Sequence, residues 1–297
     1  MSLIRSSRAF SRIARWTLKK ELTFSGNWIK RPVEIPNDCV VLYAHFEPYK
    51  RVSSYVFSAL ESYRRAGFDV IFGSTSELFT TDISQLNAHC AGVLIRPNFG
   101  YDFSTWRDML RNLNFLRGKS VLLTNSSIVG PLTPMDSIFK GLRAEDRRIV
   151  GLLESQEFHR HLQSYFLFFP RRITKGVLWR LFWKLLRDLD SKDLIITNYE
   201  VNVSDFFSAA YDSVAIFKVK TRRNPLEEVF SEIPEFPFVK RAVIESGTIE
   251  NSRWPTPPPR ILNNSLVQDL LKSADQNRKD NSASDDMDSS EGFRRIS

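Results

Sequence analysis

Short apolar runs alternate with amphipathic stretches through the middle of this chain. Residues 40–44 (Val-Val-Leu-Tyr-Ala) are continuously apolar and predict a buried strand. Val56, Phe57, Leu60 and Tyr63 recur at helical spacing and predict a helix over 53–65, closed by Gly67. The pattern continues with a strand at 70–72, a short helix at 83–89 and a strand at 92–95. A helix over 103–116 carries Trp106, Leu110 and Leu113, ends at Gly118, and leads into a strand at 121–124. This alternation predicts an α/β fold, a mostly parallel sheet flanked by helices on both faces. Ligands of such sheets bind beyond the carboxyl ends of the strands, so loops 45–50, 97–102 and 125–131 are the expected carriers of function.

The second half is more mixed. Residues 148–152 and 162–169 predict strands, the latter antiparallel or at an edge. The strongest helical pattern runs over 173–189, with Ile173, Val177, Leu181, Phe182, Leu185 and Leu189 on a wide apolar face. Trp179 and Trp183 widen that face between basic residues, which fits a core helix or a membrane-facing one. A strand at 195–197 is expected to end at Tyr199 and Glu200, and 224–245 closes the fold with a short helix and a proline-broken segment. The organisation that follows is a basic amphipathic arm over 1–36 and a single domain over 37–250. A proline-rich exit and short helix cover 251–272, and a tail covers 273–297. The tail is mostly Ser, Asp, Asn, Lys and Arg, cannot offset the entropy of ordering, and is expected to be disordered.

Charge changes the picture only once it is located. The net charge is +8, yet residues 1–31 hold eight bases against Glu21 alone and so account for +7 of it. The remaining body is nearly neutral and lacks the basic face of a nucleic-acid binder, so no nucleic-acid partner is expected. In the arm, Phe10, Ile13, Ala14, Thr17 and Leu18 recur at helical spacing among arginines. Such a helix either lies on an anionic membrane surface or packs on its own domain. No run of 18 apolar residues is present, so the expected location is cytoplasmic, peripheral on the inner face of the cytoplasmic membrane. Cys39 and Cys90 are the only cysteines, which excludes a disulfide scaffold and predicts buried thiols.

Candidate chemistry gathers at the strand ends. Arg96, Asn98, Gly100 and Asp102 follow one strand and precede a helix. Gly100 permits a tight turn, and Asp102 suits either a helix cap or a contact to a sugar or nucleotide hydroxyl. Asn125, Ser126 and Ser127 follow the next strand and offer neutral donors to a phosphate or sugar. Glu154, Glu157, His159 and His161 form a dense polar group without metal-ligand spacing, and Glu154 is a candidate general base. Glu200 adds another carboxylate.

These islands, taken in order, resemble the rhamnan synthesis F proteins of bacterial polysaccharide assembly. The likeness rests on Asn98-Phe99-Gly100-Tyr101-Asp102-Phe103 with Trp106, on 122–131, and on His161-Leu162-Gln163-Ser164-Tyr165-Phe166. It continues through Tyr199-Glu200 to Asn224-Pro225 and Phe236-Pro237-Phe238-Val239-Lys240-Arg241. The resemblance implies a GT-A-like glycosyltransferase that moves a sugar, L-rhamnose from dTDP-L-rhamnose, onto a polysaccharide or lipid-linked glycan, with inversion. Asp102, Glu154 and His161 are then the candidate bases. Arg96, Asn98, Gly100, Asn125, Ser126, Ser127 and Glu200 are the candidate donor contacts. The Asp-x-Asp turn common in GT-A enzymes is replaced here by Asn125-Ser126-Ser127, which leaves the use of Mg²⁺ or Mn²⁺ open. The alternative is a non-catalytic glycan-binding or assembly protein that keeps the fold.

Overall fold

The computed structural model describes residues 2–14, 25–48, 51–111, 113–220, 225–246 and 257–274. Its strands are β1 (Asn27–Lys30), β2 (Cys39–His45), β3 (Asp69–Ser74), β4 (Gly92–Ile95), β5 (Ser120–Asn125) and β6 (Ile128–Val129). They continue with β7 (Ile149–Ser155), β8 (His161–Leu162), β9 (Phe166–Phe169), β10 (Ser213–Phe217) and β11 (Val239–Lys240). The main sheet runs β1-β4-β3-β2-β5-β9-β7-β10, with β8 attached to β7, while β6 and β11 form a separate antiparallel pair. The centre, β4-β3-β2-β5, is parallel as its apolar runs predict. Beyond it the sheet is mixed, which corrects the mostly parallel expectation. β9 lies antiparallel between β5 and β7, β1 is antiparallel to β4, and β10 is parallel to β7. Strand direction leaves no mark on composition when both faces are buried, and Phe166 to Phe169 are as apolar as any parallel strand.

Alternate residues of the central strands feed two cores, one on each face of the sheet. Val41 and Tyr43 of β2 and Leu122 of β5 enter one; Val40, Leu42, Val121 and Leu123 enter the other. The first core is covered by α2 (Ser54–Arg65), through Tyr55, Val56, Ala59, Leu60 and Tyr63. On the second lies α4 (Tyr101–Leu110), whose Trp106 is fully buried and donates from Nε1 to the Thr124 carbonyl at 3.2 Å. Here the helices are numbered in chain order, with α1 (Ser2–Ala14), α3 (Thr80–His89) and α5 (Asp136–Ala144) completing the first half. The result is a single α/β domain, a mixed sheet between two helical layers. Cys39 and Cys90 are buried free thiols, as expected.

Helix α1 packs on its own domain. Ala9 and Ile13 are buried, Phe10 stacks on Phe206 at 6.2 Å, and Ser6 Oγ donates to the Phe206 carbonyl at 3.0 Å. Leu3 and Ile4 stay exposed. Thr17 and Leu18 lie outside the described residues, as does the tail from 275 onward; Ser273 and Ala274 end a helix over 265–274. No helix among the described residues is long and apolar enough to cross a membrane.

The helix expected over 173–189 is broken. It forms α6 (Arg171–Thr174) and α7 (Val177–Leu185), and Gly176 between them is extended. Trp179 and Trp183 of α7 are buried, edge to face with each other, so they are core residues and not a membrane face. The chain leaves the helix at Leu186 because Tyr199 takes over the backbone of Arg187: its hydroxyl accepts from the Arg187 N–H and donates to the Arg187 carbonyl, both at 3.0 Å. The strand expected at 195–197 is helical instead. α8 (Lys192–Ile195) runs through a wide π-turn, Ile196–Glu200, into α9 (Val201–Phe207). Side-chain amides stabilise that turn, Asn198 Nδ2 donating to the Leu194 carbonyl and Asn202 Nδ2 to the Thr197 carbonyl, each at 2.7 Å. Tyr199→Phe is expected to destabilise the protein by about 1–3 kcal/mol, since it removes both hydrogen bonds that the hydroxyl makes to the half-buried backbone of Arg187. Urea denaturation measures this, and an unchanged midpoint would show that the hydroxyl does not hold the segment.

Candidate active site

At the carboxyl end of the parallel strands lies a cavity of about 980 Å³. Phe46 reaches it from the end of β2, Thr75 from β3, Asn98, Tyr101 and Asp102 from the turn after β4, and Asn125, Ser126 and Ser127 from the end of β5. Facing them are His161, Gln163, Ser164 and Tyr165 around β8 and the Lys192–Glu200 helical segment, while Lys240 and Arg241 line the cavity beside the β2 and β5 ends. Three of its residues, Phe46, Tyr101 and Phe158, are exposed aromatics.

Asp102 is the best-defined group in the cavity. Asn125 Nδ2 donates to its Oδ2 at 2.7 Å. The amide orientation follows from its other end, because the Ser127 backbone N–H can only donate and meets Asn125 Oδ1 at 3.1 Å, with the Ser127 hydroxyl donating to the same oxygen at 2.6 Å. Asp102 therefore has one oxygen held and the other without a hydrogen bond among the described residues. Part of its side chain opens to the cavity, but enclosure by the walls removes it from bulk water. That desolvation raises its pKa from 3.8 to about 6; the Asn125 hydrogen bond opposes the rise, Glu200 adds to it, and Lys192 and Arg241 oppose it. A carboxylate poised near neutrality has the form a general base needs.

The turn that presents Asp102 is held from behind. Arg96 Nε meets Asp108 Oδ2 at 3.0 Å and its Nη2 meets Asp188 Oδ1 at 3.3 Å. Arg107 Nη2 lies 2.9 Å from both Asp108 Oδ1 and Asp188 Oδ1. Two arginines and two aspartates thus share a site where no side chain is more than 5% exposed. Arg96 also donates from Nη1 to the Phe99 carbonyl inside the turn. Gly100, at φ +78°, belongs here by necessity: a Cβ would fall 2.1 Å from Ser104 Oγ and 2.7 Å from Asp188 Oδ1. Tyr101 follows with φ +54°, an uncommon conformation for an aromatic residue.

A second network ties the end of β2 to the C-terminal segment. Pairing of β11 with β6 places Lys240 opposite Ile128, and the Arg241 N–H donates to the Ser127 carbonyl at 2.8 Å. Arg241 Nη1 donates to the Phe46 carbonyl at 2.8 Å and lies 3.5 Å from Glu47 Oε2, while its Nε lies 3.4 Å from Glu245. Burial pushes the Glu47 carboxyl up, against the pull of Arg241. His45 Nδ1 and Ser74 Oγ lie 3.0 Å apart, and burial, then Arg241, lowers the His45 pKa to about 3, so this ring is neutral.

Seven of the predicted site residues line the cavity: Asn98, Asp102, Asn125, Ser126, Ser127, His161 and Glu200. Three do not. Arg96 is turned into the ion cluster and cannot face a donor. Gly100 shapes the turn behind the wall. Glu154 lies outside the cavity, paired to Arg160 at 2.9 Å. His159 lies 3.2 Å from Asp205 and does not join His161 at the cavity. Glu200 sits in the π-turn and not at a strand end. Lys192 has no signal of its own in the sequence. Lys240 and Arg241 stand in a motif already marked there, but only the β6–β11 pairing shows that they face the cavity. Among the described residues no three His, Cys, Asp or Glu side chains are grouped to hold a metal ion.

A model of the family described as rhamnan synthesis protein F matches residues 70–232, more than half of the chain. The chain belongs to the rhamnan synthesis protein F family. The matched span includes the Asp102 turn, the Asn125 strand end and the π-turn. Curated relatives include the Uncharacterized protein y4gN of Sinorhizobium fredii, 25% identical over 192 residues, covering 62% of this chain and 49% of that protein. Virulence protein VirA of Vibrio anguillarum is 27% identical over 132 residues, covering 42% of this chain and 41% of that one. The chain spans less than half the length of these curated relatives. Similar solved structures include a Pyrobaculum calidifontis mannosyltransferase in complex with GDP-Man and Mn²⁺ (TM-score 0.40, 10% identity, 93% of this chain and 82% of that one). Another is the apo glycosyltransferase GlyE of Streptococcus pneumoniae (TM-score 0.42, 9% identity, 80% and 64%).

Removing one carboxylate from the ion cluster of this rhamnan synthesis F protein leaves arginine charge buried without a partner. Asp188→Ala is expected to cost about 3–5 kcal/mol in urea denaturation. A cost below about 1 kcal/mol would show that the turn does not depend on the cluster.

Proposed function

We propose that the cavity is a GT-A-like glycosyltransferase site in which Asp102 is the general base. The observation that carries this reading is the Asp102–Asn125 pair: a single free carboxylate oxygen, a pKa near 6, and a place beyond the carboxyl ends of a parallel sheet. Membership of the rhamnan synthesis F family supports a sugar nucleotide as donor, with dTDP-L-rhamnose the first choice, and a polysaccharide or lipid-linked glycan as acceptor. The acceptor oxygen attacks the anomeric carbon and its proton passes to Asp102. The bond from that carbon to the diphosphate oxygen breaks, and the electron pair leaves with the nucleoside diphosphate. One displacement inverts the anomeric centre. Asn98 offers hydrogen bonds to the donor, the Ser126 and Ser127 hydroxyls hold the Phe46 backbone and the Asn125 amide in place, and Asn125 fixes the base. Glu200 helps hold the Asp102 carboxyl up, and His161 lies at the edge where an acceptor enters.

The neutral Asn125-Ser126-Ser127 strand end favours a second reading, a glycan-binding protein without transfer. Glycan binding in the absence of any product from a panel of sugar nucleotides would establish it.

Asp102→Asn is expected to fold and to lose about 10²-fold or more in turnover, since it keeps the shape and removes the base. Wild-type transfer should rise with pH through about 6 and level off above it, and the variant should lack that limb. The folded-state pKa lies above the unfolded value, so ionisation of Asp102 opposes folding. Wild type should therefore lose stability relative to Asp102→Asn between about pH 4 and 6. Initial rates, the anomeric NMR signal of the product and urea melts across pH measure all three. Unchanged kinetics for the variant would remove Asp102 from the mechanism.

A further inference from the structure

We propose that this cavity takes the diphosphate of its donor on cationic side chains, Lys192, Lys240 and Arg241, and not on a divalent metal ion. The inference rests on the reading of the cavity as a sugar-nucleotide site. Its first support is the chemistry of the β5 end. A hard divalent cation there needs anionic oxygens, and Asn125, Ser126 and Ser127 supply none. The one strong neutral acceptor, Asn125 Oδ1, already takes two hydrogen bonds from Ser127, and the other end of that amide is committed to Asp102. Besides Asp102 the cavity holds three carboxylates: Glu200, in the π-turn, is near enough to act on Asp102, whereas Glu157 and Asp193 are exposed on separate segments; no three metal-ligating side chains gather among the described residues.

The second support is the placement of positive charge. Lys192 opens α8 on one wall and is exposed, and its ammonium makes no hydrogen bond or ion pair among the described residues. Arg241 stands on the other side, held rigid by the Ser127 and Phe46 carbonyls and by Glu47 and Glu245, with Lys240 beside it. Lys192 and Arg241 line the same cavity as Asp102 and both charges act on its carboxyl, so a group departing from a carbon next to Asp102 is within reach of their field. When the anomeric carbon–oxygen bond breaks, the electron pair stays on the terminal phosphate of the nucleoside diphosphate and its negative charge grows. Fixed ammonium and guanidinium groups stabilise that growth, as a metal would.

Calorimetric titration of the full chain with dTDP, UDP and GDP, in EDTA and in MgCl₂ or MnCl₂, tests the proposal. The expected result is one nucleoside diphosphate whose Kd agrees within about twofold in all buffers and weakens with added salt. Lys192→Ala should weaken it about tenfold or more, Lys192→Arg should restore most of the loss, and the parent nucleoside should bind both forms alike. Lys192 is exposed, so circular dichroism of the variants should match wild type. Binding that needs Mg²⁺ or Mn²⁺, or a Lys192→Ala variant with unchanged Kd, would overturn the proposal. Failure of every nucleoside diphosphate in every buffer would bring down the sugar-nucleotide reading itself, and the metal-free site with it.

Discussion

Four charges buried together, on Arg96, Arg107, Asp108 and Asp188, govern the geometry of this protein's cavity. Isolated charges in such a place would be prohibitive, but two of each sign cancel and saturate one another's hydrogen-bonding groups. The cluster joins three parts of the chain: the end of β4, the body of α4, and the segment after α7. Because Asp188 presses against Gly100, that residue admits no side chain, and the turn passes through two consecutive left-handed residues. The conformation of Tyr101 costs about 1–3 kcal/mol, a cost the rigid ion cluster and the burial of α4 sustain. Its consequence is that Asp102 points into the cavity at the first turn of a helix whose Trp106 is locked in the core.

From that fixed carboxylate the rest of the site follows as electrostatics. The walls exclude water and raise the pKa of Asp102, while Asn125 occupies one of its oxygens and keeps the other free. Lys192 and Arg241 stand close enough to moderate the rise without reversing it. The cavity thus sets a near-neutral base beside fixed positive charge, the two requirements of a displacement that takes up a proton on one side and releases a diphosphate on the other. His45 and Glu47, at the end of β2, are spent on packing and on anchoring Arg241.

Much of this was legible in the chain's pattern, for definite reasons. The parallel centre of the sheet announced itself because strands buried on both faces are continuous apolar runs, and the loops after β4 and β5 followed from strand direction alone. The antiparallel direction expected within 162–169 holds for β9, but its place inside the sheet, between β5 and β7, leaves no mark on a composition like that of the parallel strands. The break after Leu185 escaped notice because Leu186 and Leu189 remain buried, and the cause is a hydroxyl twelve residues on, at Tyr199. Arg96 looked like a donor contact because its partners, Asp108 and Asp188, are brought to it only by the fold. Glu154 stands in a polar cluster of which Glu157 and His161 reach the cavity, while Glu154 itself is paired to Arg160 outside it. Lys192 carries no signal of its own in the sequence, and only α8 and the π-turn after it set its segment on the cavity wall.

The most direct measurement is an NMR titration of the Asp102 carboxyl carbon, assigned by comparison with Asp102→Asn in protein carrying ¹³C at the aspartate carboxyl. An apparent pKa near 6, falling toward the ordinary aspartate range when the Asp188 cluster is disrupted, is the expected result. A value near 3.8 in the intact protein would mean that the cavity does not desolvate Asp102 and that this residue is not the poised base.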